Sequence, residues 1–502
     1  LPTAPKTFDT TYAAPKGATL NVAAGGDLQA ALDKAQLGDT IVLQAGATFT
    51  GPFTLPNKTT GSGWIYVVSS NLSKLPPPGT RVSPANASNM PKLVAPKALN
   101  ALKTVANSHN FRFVGIEFAP AASATMTYQI VAIGNSDTSP ATLPSHIVFD
   151  RCYVHGRAAG NHRRGIEMDG AYVAVVDSYI SDFHEVGADS QGLAAWNTTG
   201  PLKIVDNYIE ASTENVLTGG ADSASPALVP ADIEIRNNYF FKPLSFIGKG
   251  YALKNLLEFK AAQRVLVTGN TFQIPVGGWS GASILITPRN QNGSAPWSVT
   301  SDIAVTGNAL INVGNGFVFL GRDYIHPSEP TTRLLVRDNV MEITKGARAF
   351  VVSGGSGSDW TIDHNTIITA DPSTGNLMVA DTSGPKITNF TFTNNLVGPI
   401  KYEFGGRGVT AGIAALDQNF TNWVFSKNAI VAAAGVYPAG NFFPKDIAAV
   451  RFMNYAGGNY ALAAKSAYKS AGTDGKDIGA DVSAAPSASA IVPNPPSNVV
   501  VR

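Results

Sequence analysis

The sequence predicts an all-β chain wound as a right-handed parallel β-helix, three strands per coil, with an N-terminal helical cap and an asparagine ladder. Three observations lead there. One phrase recurs nine times between residues 147 and 430: alternating apolar residues, a small or amide residue, then a second short apolar strand. Ile204 to Tyr208, Ile233 to Tyr239, Val265 to Thr271, Ile303 to Ala309 and Leu334 to Val340 are examples. Asn207, Asn238, Asn270, Asn308, Asn339, Asn365, Asn395 and Asn428 recur at intervals of 26 to 38 residues, the period of a solenoid built from one supersecondary unit. Composition agrees, with 49 Gly, 32 Pro and only 14% charged residues.

A chain of 502 residues would ordinarily divide into several domains. A solenoid escapes that limit, because each coil contacts only its neighbours and the core grows along one axis. A net charge of +2 argues against a nucleic-acid partner. No run of 18 apolar residues is present, so no membrane span is expected. The start carries no basic and apolar leader, and the expectation is a secreted or cell-surface bacterial protein, monomeric, whose signal peptide has been removed. Cys152 is the single cysteine, which excludes internal disulfides; it falls where later coils place their asparagine.

Taken in order, residues 1–50 read as a cap: Asp27 to Ala35 forms a short amphipathic helix and Gly38 to Leu43 leaves it as a first strand. Such a plug is needed because an open end coil exposes both core and strand edges. Residues 51–145 are expected to hold irregular early coils, with strands near Ile65 to Ser69 and Phe111 to Phe118. Residues 146–430 form the regular helix. In the coil around Asn270 the first strand is Leu256 to Lys260, the second Val265 to Val267 and the third Thr271 to Ile274. Stacked turn asparagines hydrogen-bond along the axis through both ends of their amides, which makes them structural. Residues 431–483 are the C-terminal coils and cap, and the Pro/Ser-rich 484–502 is a tail. Loops are enlarged before the first strand at 183–191, 242–255 and 274–282, and after it at 219–231, 288–301 and 321–332. Insertions in repeat proteins gather on one face, often the binding face.

Side chains alternate along a strand, so with Leu257 and Phe259 inward, Glu258 and Lys260 face out. In the next coil Ile284 and Ile286 go in, leaving Thr287 and Arg289 outside. Coils stack about 4.8 Å apart, which sets Lys260 beside Arg289. Upstream coils add Glu167, Asp169, Trp196, Glu214, Asn215 and Asp222, and downstream ones Arg322 and Asp323. Trp196, Asp222, Lys254, Tyr251, Trp279 and Arg322 are the candidate substrate-binding residues. Cations among carboxylates suit β-elimination from an acidic, uronate-containing polysaccharide. That reaction needs the sugar carboxylate neutralised, a base for the α-proton and a donor for the leaving oxygen. Glu214, Asn215 and Glu258 are the candidate ligands of a calcium ion, the candidate cofactor, which takes several oxygen ligands.

Glu258-Phe-Lys260, then Asn270-Thr-Phe ten residues on, then Arg289, resembles the catalytic stretch of chondroitinase B and related alginate lyases. The resemblance implies Lys260 as base, Arg289 as its partner and Glu258 at a calcium-binding position. This chain has one such glutamate where the family has two, and a longer gap from Lys to Arg. More broadly, the chain resembles secreted bacterial β-helix proteins of the pectate-lyase-like superfamily. Two other readings stand beside the lyase. A glycoside hydrolase needs two carboxyl groups, which Glu167, Asp169 or Asp189 would supply, although polygalacturonase signatures are absent. A glycan-binding or structural surface protein needs no catalytic group. In that case Glu258 and Lys260 are a solvated pair, Arg289 holds its loop, Asp222 caps a turn, and Arg157, His162, Arg163 and Arg164, a basic cluster otherwise suited to attract acidic glycan, form a solvated turn.

Overall fold

The computed structural model describes residues 1–134, 137–274, 281–433 and 435–482. It divides into two compact units, Pro5–Leu257 and Leu1–Ala4 together with Glu258 onward. Both are built from parallel strands, and the chain is a parallel β-helix. None of the described helices is long and apolar enough to cross a membrane.

In the unit Pro5–Leu257 each coil contributes one strand to each of three sheets. The coil around Asn207 shows the order: Gln191–Ala195, then Leu202–Val205, then Tyr208–Ala211. Register is kept by apolar columns running through the interior. Phe111 pairs with Ile147, Ile147 with Val173, Val173 with Leu202, and Leu202 with Ile233. None of these five side chains is more than 2% exposed. Each such burial stabilises by about 1.5–3 kcal/mol, and a one-residue slip would turn the whole column to solvent. The unit beginning at Glu258 repeats the device with Val265, Ile303, Leu334, Trp360 and Phe390. Trp360 is fully buried there, and its indole N–H is satisfied by the Thr331 carbonyl at 3.1 Å.

The second-to-third strand turn is set by one left-handed residue followed by one buried polar residue. Asp177, Asp206 and Asn237 in the first unit, and Gly269, Gly307, Asp338, His364, Asn394 and Lys427 in the second, all have φ between 52° and 66°. Asp, Asn and Gly tolerate that region best. The next residue is Ser178 after Asp177 and an asparagine after each of the others. In the second unit Asn270, Asn308, Asn339, Asn365, Asn395 and Asn428 each donate, through backbone N and Nδ2, to the Oδ1 of the following asparagine at 2.9–3.1 Å, ending on Asn441. In the first unit Cys152 N donates to Ser178 Oγ, Ser178 N to Asn207 Oδ1, and Asn207 to Asn238 Oδ1, all at 2.9 Å. Cys152 therefore occupies the asparagine position.

The N-terminal helix is Leu28–Lys34; Asp27 caps it by accepting from Ala30 N at 2.9 Å, and Leu28, Ala31 and Leu32 are buried. An unexpected strand, Thr19–Val22, precedes the helix and pairs with Thr40–Leu43. Residues 5–12 run along the outside of the second-strand sheet. Lys6 N donates to Asp232 Oδ1 at 2.9 Å, Lys203 Nζ to the Phe8 carbonyl at 3.2 Å, and Arg112 Nη1 to the Thr10 carbonyl at 2.8 Å. Phe8 packs with Val148, Ala174 and Val176, and Tyr12 with Tyr66, Val68 and Val114. Residues 51–145 carry strands of all three sheets, with a long loop at 70–91. At the other end Phe452–Asn454 and Asn459–Leu462 form an antiparallel pair.

Candidate functional site

The unit beginning at Glu258 holds the lysine and arginine singled out by sequence. Phe259 is fully buried and Thr287 N donates to its carbonyl at 2.9 Å, which locks two coils in register. One step on, Arg289 N donates to the Lys260 carbonyl at 2.8 Å. Lys260 and Arg289 thus leave neighbouring coils side by side at the end of the same sheet. Glu258 is 5% exposed; Thr287 Oγ1 donates to its Oε1 at 3.2 Å, and Lys260 Nζ lies 3.9 Å from that oxygen. Arg289 directs Nη1 toward Asp323, 3.6 Å away, and Asp323 is fixed by the amide of Ile325. Ser298 Oγ donates to the Arg289 carbonyl at 2.6 Å and so ties the 287–299 loop beneath the pair. Arg322 spends Nε on the Ser328 carbonyl at 2.7 Å, which holds the 321–331 loop. Trp279 lies outside the described residues.

In the unit Pro5–Leu257 the first-strand sheet carries a polar column. Strands Met126–Ile133, Asn161–Met168, Gln191–Ala195 and Glu214–Thr218 pair in parallel. Their register sets Gln129 opposite Arg164, Arg164 opposite Gln191, and Gln191 opposite Glu214. From Arg164 onward the side chains meet in that order. Arg164 Nε donates to Gln191 Oε1 at 2.8 Å, and Gln191 Nε2 donates to Glu214 Oε2 at 2.8 Å. Lys254 Nζ stands 3.9 Å from Glu214 Oε1 and 2.5 Å from Asp189 Oδ2. Gln129 Nε2 donates to Glu167 Oε2 at 2.5 Å, and the Arg164 guanidinium lies 5.1 Å from the Trp196 ring centroid.

Burial dominates the titration of this column. It pushes Glu167 up to about 7, opposed by the Gln129 hydrogen bond and by Arg164. Asp169 is raised well above the usual carboxylate range by burial and then by the Glu167 charge, although the amides of Trp196 and Asn197 donate to its Oδ1 at 2.7 and 3.1 Å. Those amides make Asp169 the cap of the turn carrying Trp196. Lys242 is buried and donates to the carbonyls of Ala211, Ser212 and Thr213, so it braces the corner before Glu214.

Glu214 and Asn215, expected to share a calcium ion, face opposite ways. Glu214 joins the outward column, whereas Asn215 turns inward and donates Nδ2 to the Ile209 and Phe241 carbonyls at 2.6 and 2.9 Å. Alternation along a strand forces this, since neighbours point to opposite faces. The two do not fit one metal ion, and among the described residues no group of three or more His, Cys, Asp or Glu is gathered for one. Tyr251 stacks on His184 with ring centroids 4.2 Å apart and meets Phe246 edge-on, which pins the 242–256 loop to the 184–190 loop. Asp222 is half-buried in the turn after Glu214–Thr218. Gln129 and Gln191 were not expected as site residues, and Arg164 was read as part of a solvated basic turn. The local pattern hides them, because the strand alternation breaks at Gly165, an inward position with no room for Cβ. Comparing equivalent positions of successive coils is the signal that finds them.

No protein-family model and no curated protein matches the sequence. Among solved structures, an alginate lyase from Paenibacillus sp. str. FPU-7 is similar at 16% identity, over 72% of this chain and 97% of that one, with a TM-score of 0.33. The pectate lyase Pel9A is similar at 15% identity over 92% and 96%, with a TM-score of 0.38. The PL6-family alginate lyase AlyGC is similar at 14% identity over 92% of this chain and 58% of that one, with a TM-score of 0.48.

Proposed function

We propose that the chain is a carbohydrate-active protein, a polysaccharide lyase that cleaves a uronate-containing polysaccharide by β-elimination. The observation carrying this reading is the Arg289 N to Lys260 O hydrogen bond of 2.8 Å, which sets two cationic side chains on adjacent coils beside Glu258 and Asp323. In the reaction Lys260 takes the proton α to the sugar carboxylate. The freed electron pair forms the carbon–carbon double bond, the bond to the glycosidic oxygen breaks, and that oxygen takes up a proton from solvent, to which Lys260 returns the proton it accepted. Arg289 stabilises the negative charge that develops on the sugar carboxylate as the proton leaves. Glu214 and Asn215 diverge and do not fit one calcium ion, so these steps are written with the chain's own side chains alone.

A lyase releases unsaturated sugar ends that absorb in the ultraviolet; a hydrolase releases reducing ends without that absorbance. Purified protein assayed on a panel of polyuronates is expected to give the absorbing product. Lys260→Ala is expected to lower its rate at least about 100-fold. Unchanged elimination by that variant would overturn the assignment. Reducing ends without absorbance would favour a hydrolase, the reading that Glu167, held up to about 7 as a ready proton donor, supports.

A further inference from the structure

Arg164 is a half-buried cation whose charge the protein leaves unanswered. Its Nε is committed to Gln191 Oε1 and its plane is held against Trp196, so the guanidinium has one orientation. Among the described residues neither Nη1 nor Nη2 meets a hydrogen-bond acceptor, and no carboxylate lies within ion-pair distance of it. The two acidic side chains that act on it electrostatically from its own sheet are engaged elsewhere. Glu167 accepts from Gln129, and Glu214 accepts from Gln191 while facing Lys254. Two glutamines thus stand where a direct Arg–carboxylate bridge would form. Burial and the neighbouring Arg163 charge both weaken the hold of Arg164 on its proton, which measures how poorly the charge is compensated.

An oriented, partly desolvated guanidinium with an open fork is matched by one ligand chemistry above others: a carboxylate bound through two parallel N–H···O contacts. Binding repays the desolvation that the folded chain left uncompensated. A sugar carrying that carboxylate would lie beside Tyr128, which is 45% exposed and has Arg163 5.1 Å over its ring. Arg163 is held in a two-point pair with Glu185, at 2.7 and 2.8 Å, and so it does not compete for the ligand.

We propose that Arg164, held by Gln191 and Trp196, is a subsite that binds the carboxylate of a uronate residue, in the unit Pro5–Leu257. This rests on the polyuronate reading of the substrate and adds to it a recognition residue remote in sequence from Lys260. The test is binding, measured separately from cleavage. With Lys260→Ala as the parent in every arm, affinity for alginate and polygalacturonate oligosaccharides is measured by calorimetry, each beside its carboxyl-reduced counterpart. Adding Arg164→Gln is expected to weaken binding of at least one uronate oligosaccharide tenfold or more, with binding of the reduced sugar unchanged. Arg164→Lys keeps the charge without the fork and is expected to recover only part of the loss; it also decides the matter if the glutamine variant melts early. Parent-like affinity in both variants, or an equal loss on charged and reduced sugars, would overturn the subsite. Failure of the lyase reading shows elsewhere, as unchanged elimination by Lys260→Ala.

Discussion

Glu167 is a carboxyl group that the fold keeps protonated further up the pH scale than water would. Burial raises it from 4.5 to about 7, while Gln129 and Arg164 pull the other way. Between those values the folded chain retains a proton that the unfolded chain has released. Its stabilising contribution is therefore complete below the unfolded value and is lost as pH rises toward about 7, at up to about 1.4 kcal/mol per pH unit. Glu210, also raised to about 7 by burial and by the Asp182 charge, acts in the same direction. The informative quantity is thus a difference between two proteins. Glu167→Gln keeps a partner for Gln129 and cannot ionise. Stabilities from urea unfolding at pH 4.5 and 7.5 are expected to move in favour of the variant by roughly 3 kcal/mol across that interval. Equal pH dependence in the two proteins would mean that Glu167 titrates normally.

At the scale of the element, the turn ladder joins each coil to the next by hydrogen bonds that leave no polar atom idle. Asn339 shows the full set: Oδ1 accepts from Asn308 N and Nδ2, and Nδ2 donates to Asn365 Oδ1 and to the Val305 and Arg337 carbonyls. It is wholly buried, so Asn339→Ala strands several groups at once and is expected to cost about 3 kcal/mol, read as a lower denaturation midpoint. Asn441, at the partly exposed end of the ladder, is expected to cost less when changed the same way, since water can replace its partners. The turns were legible in the sequence because each demands one amide at a fixed place. The left-handed residues near the strand starts were not. Asn110, His146, Tyr172 and Asp232 adopt left-handed backbone near the start of their strands, and the pairing steps over them, as where Ser145 faces His109 and Ile147 faces Phe111. Their side chains share no chemistry, so no pattern marked them. A non-glycine residue in that left-handed region costs roughly 1–2 kcal/mol, which the apolar columns on either side offset.

For the whole chain, period and alternation told which residues line the core, because the same position is buried in coil after coil. They told less about the site. Glu258, Lys260 and Arg289 were legible because a two-residue step fixes the face and the coil spacing fixes the neighbour. Asn215 was grouped with Glu214 on chemical type, although its place next to Glu214 on one strand turns it to the opposite face. Arg164 was read as part of a solvated turn because its loop-like Arg-Arg-Gly context masks a strand. The chain start was read as part of a plug, yet residues 5–12 cover the outer face of a sheet on which Tyr66, Val68, Val114, Val148 and Val176 are buried. A chain beginning at Gly17 is expected to uncover that face, bind more of a dye that reports exposed apolar surface, and melt about 3 °C or more below the full chain. No gain in dye binding would show that these residues do not shield it. One residue has a practical consequence for such experiments. Cys152, fully enclosed at the head of the turn ladder and with its thiol pushed up to about 12, is shut off from maleimides. Tyr128→Cys or Tyr324→Cys, at positions 45% and 49% exposed, would introduce the only thiol open to a fluorophore, so ligand-induced distances can be followed without first removing the native cysteine.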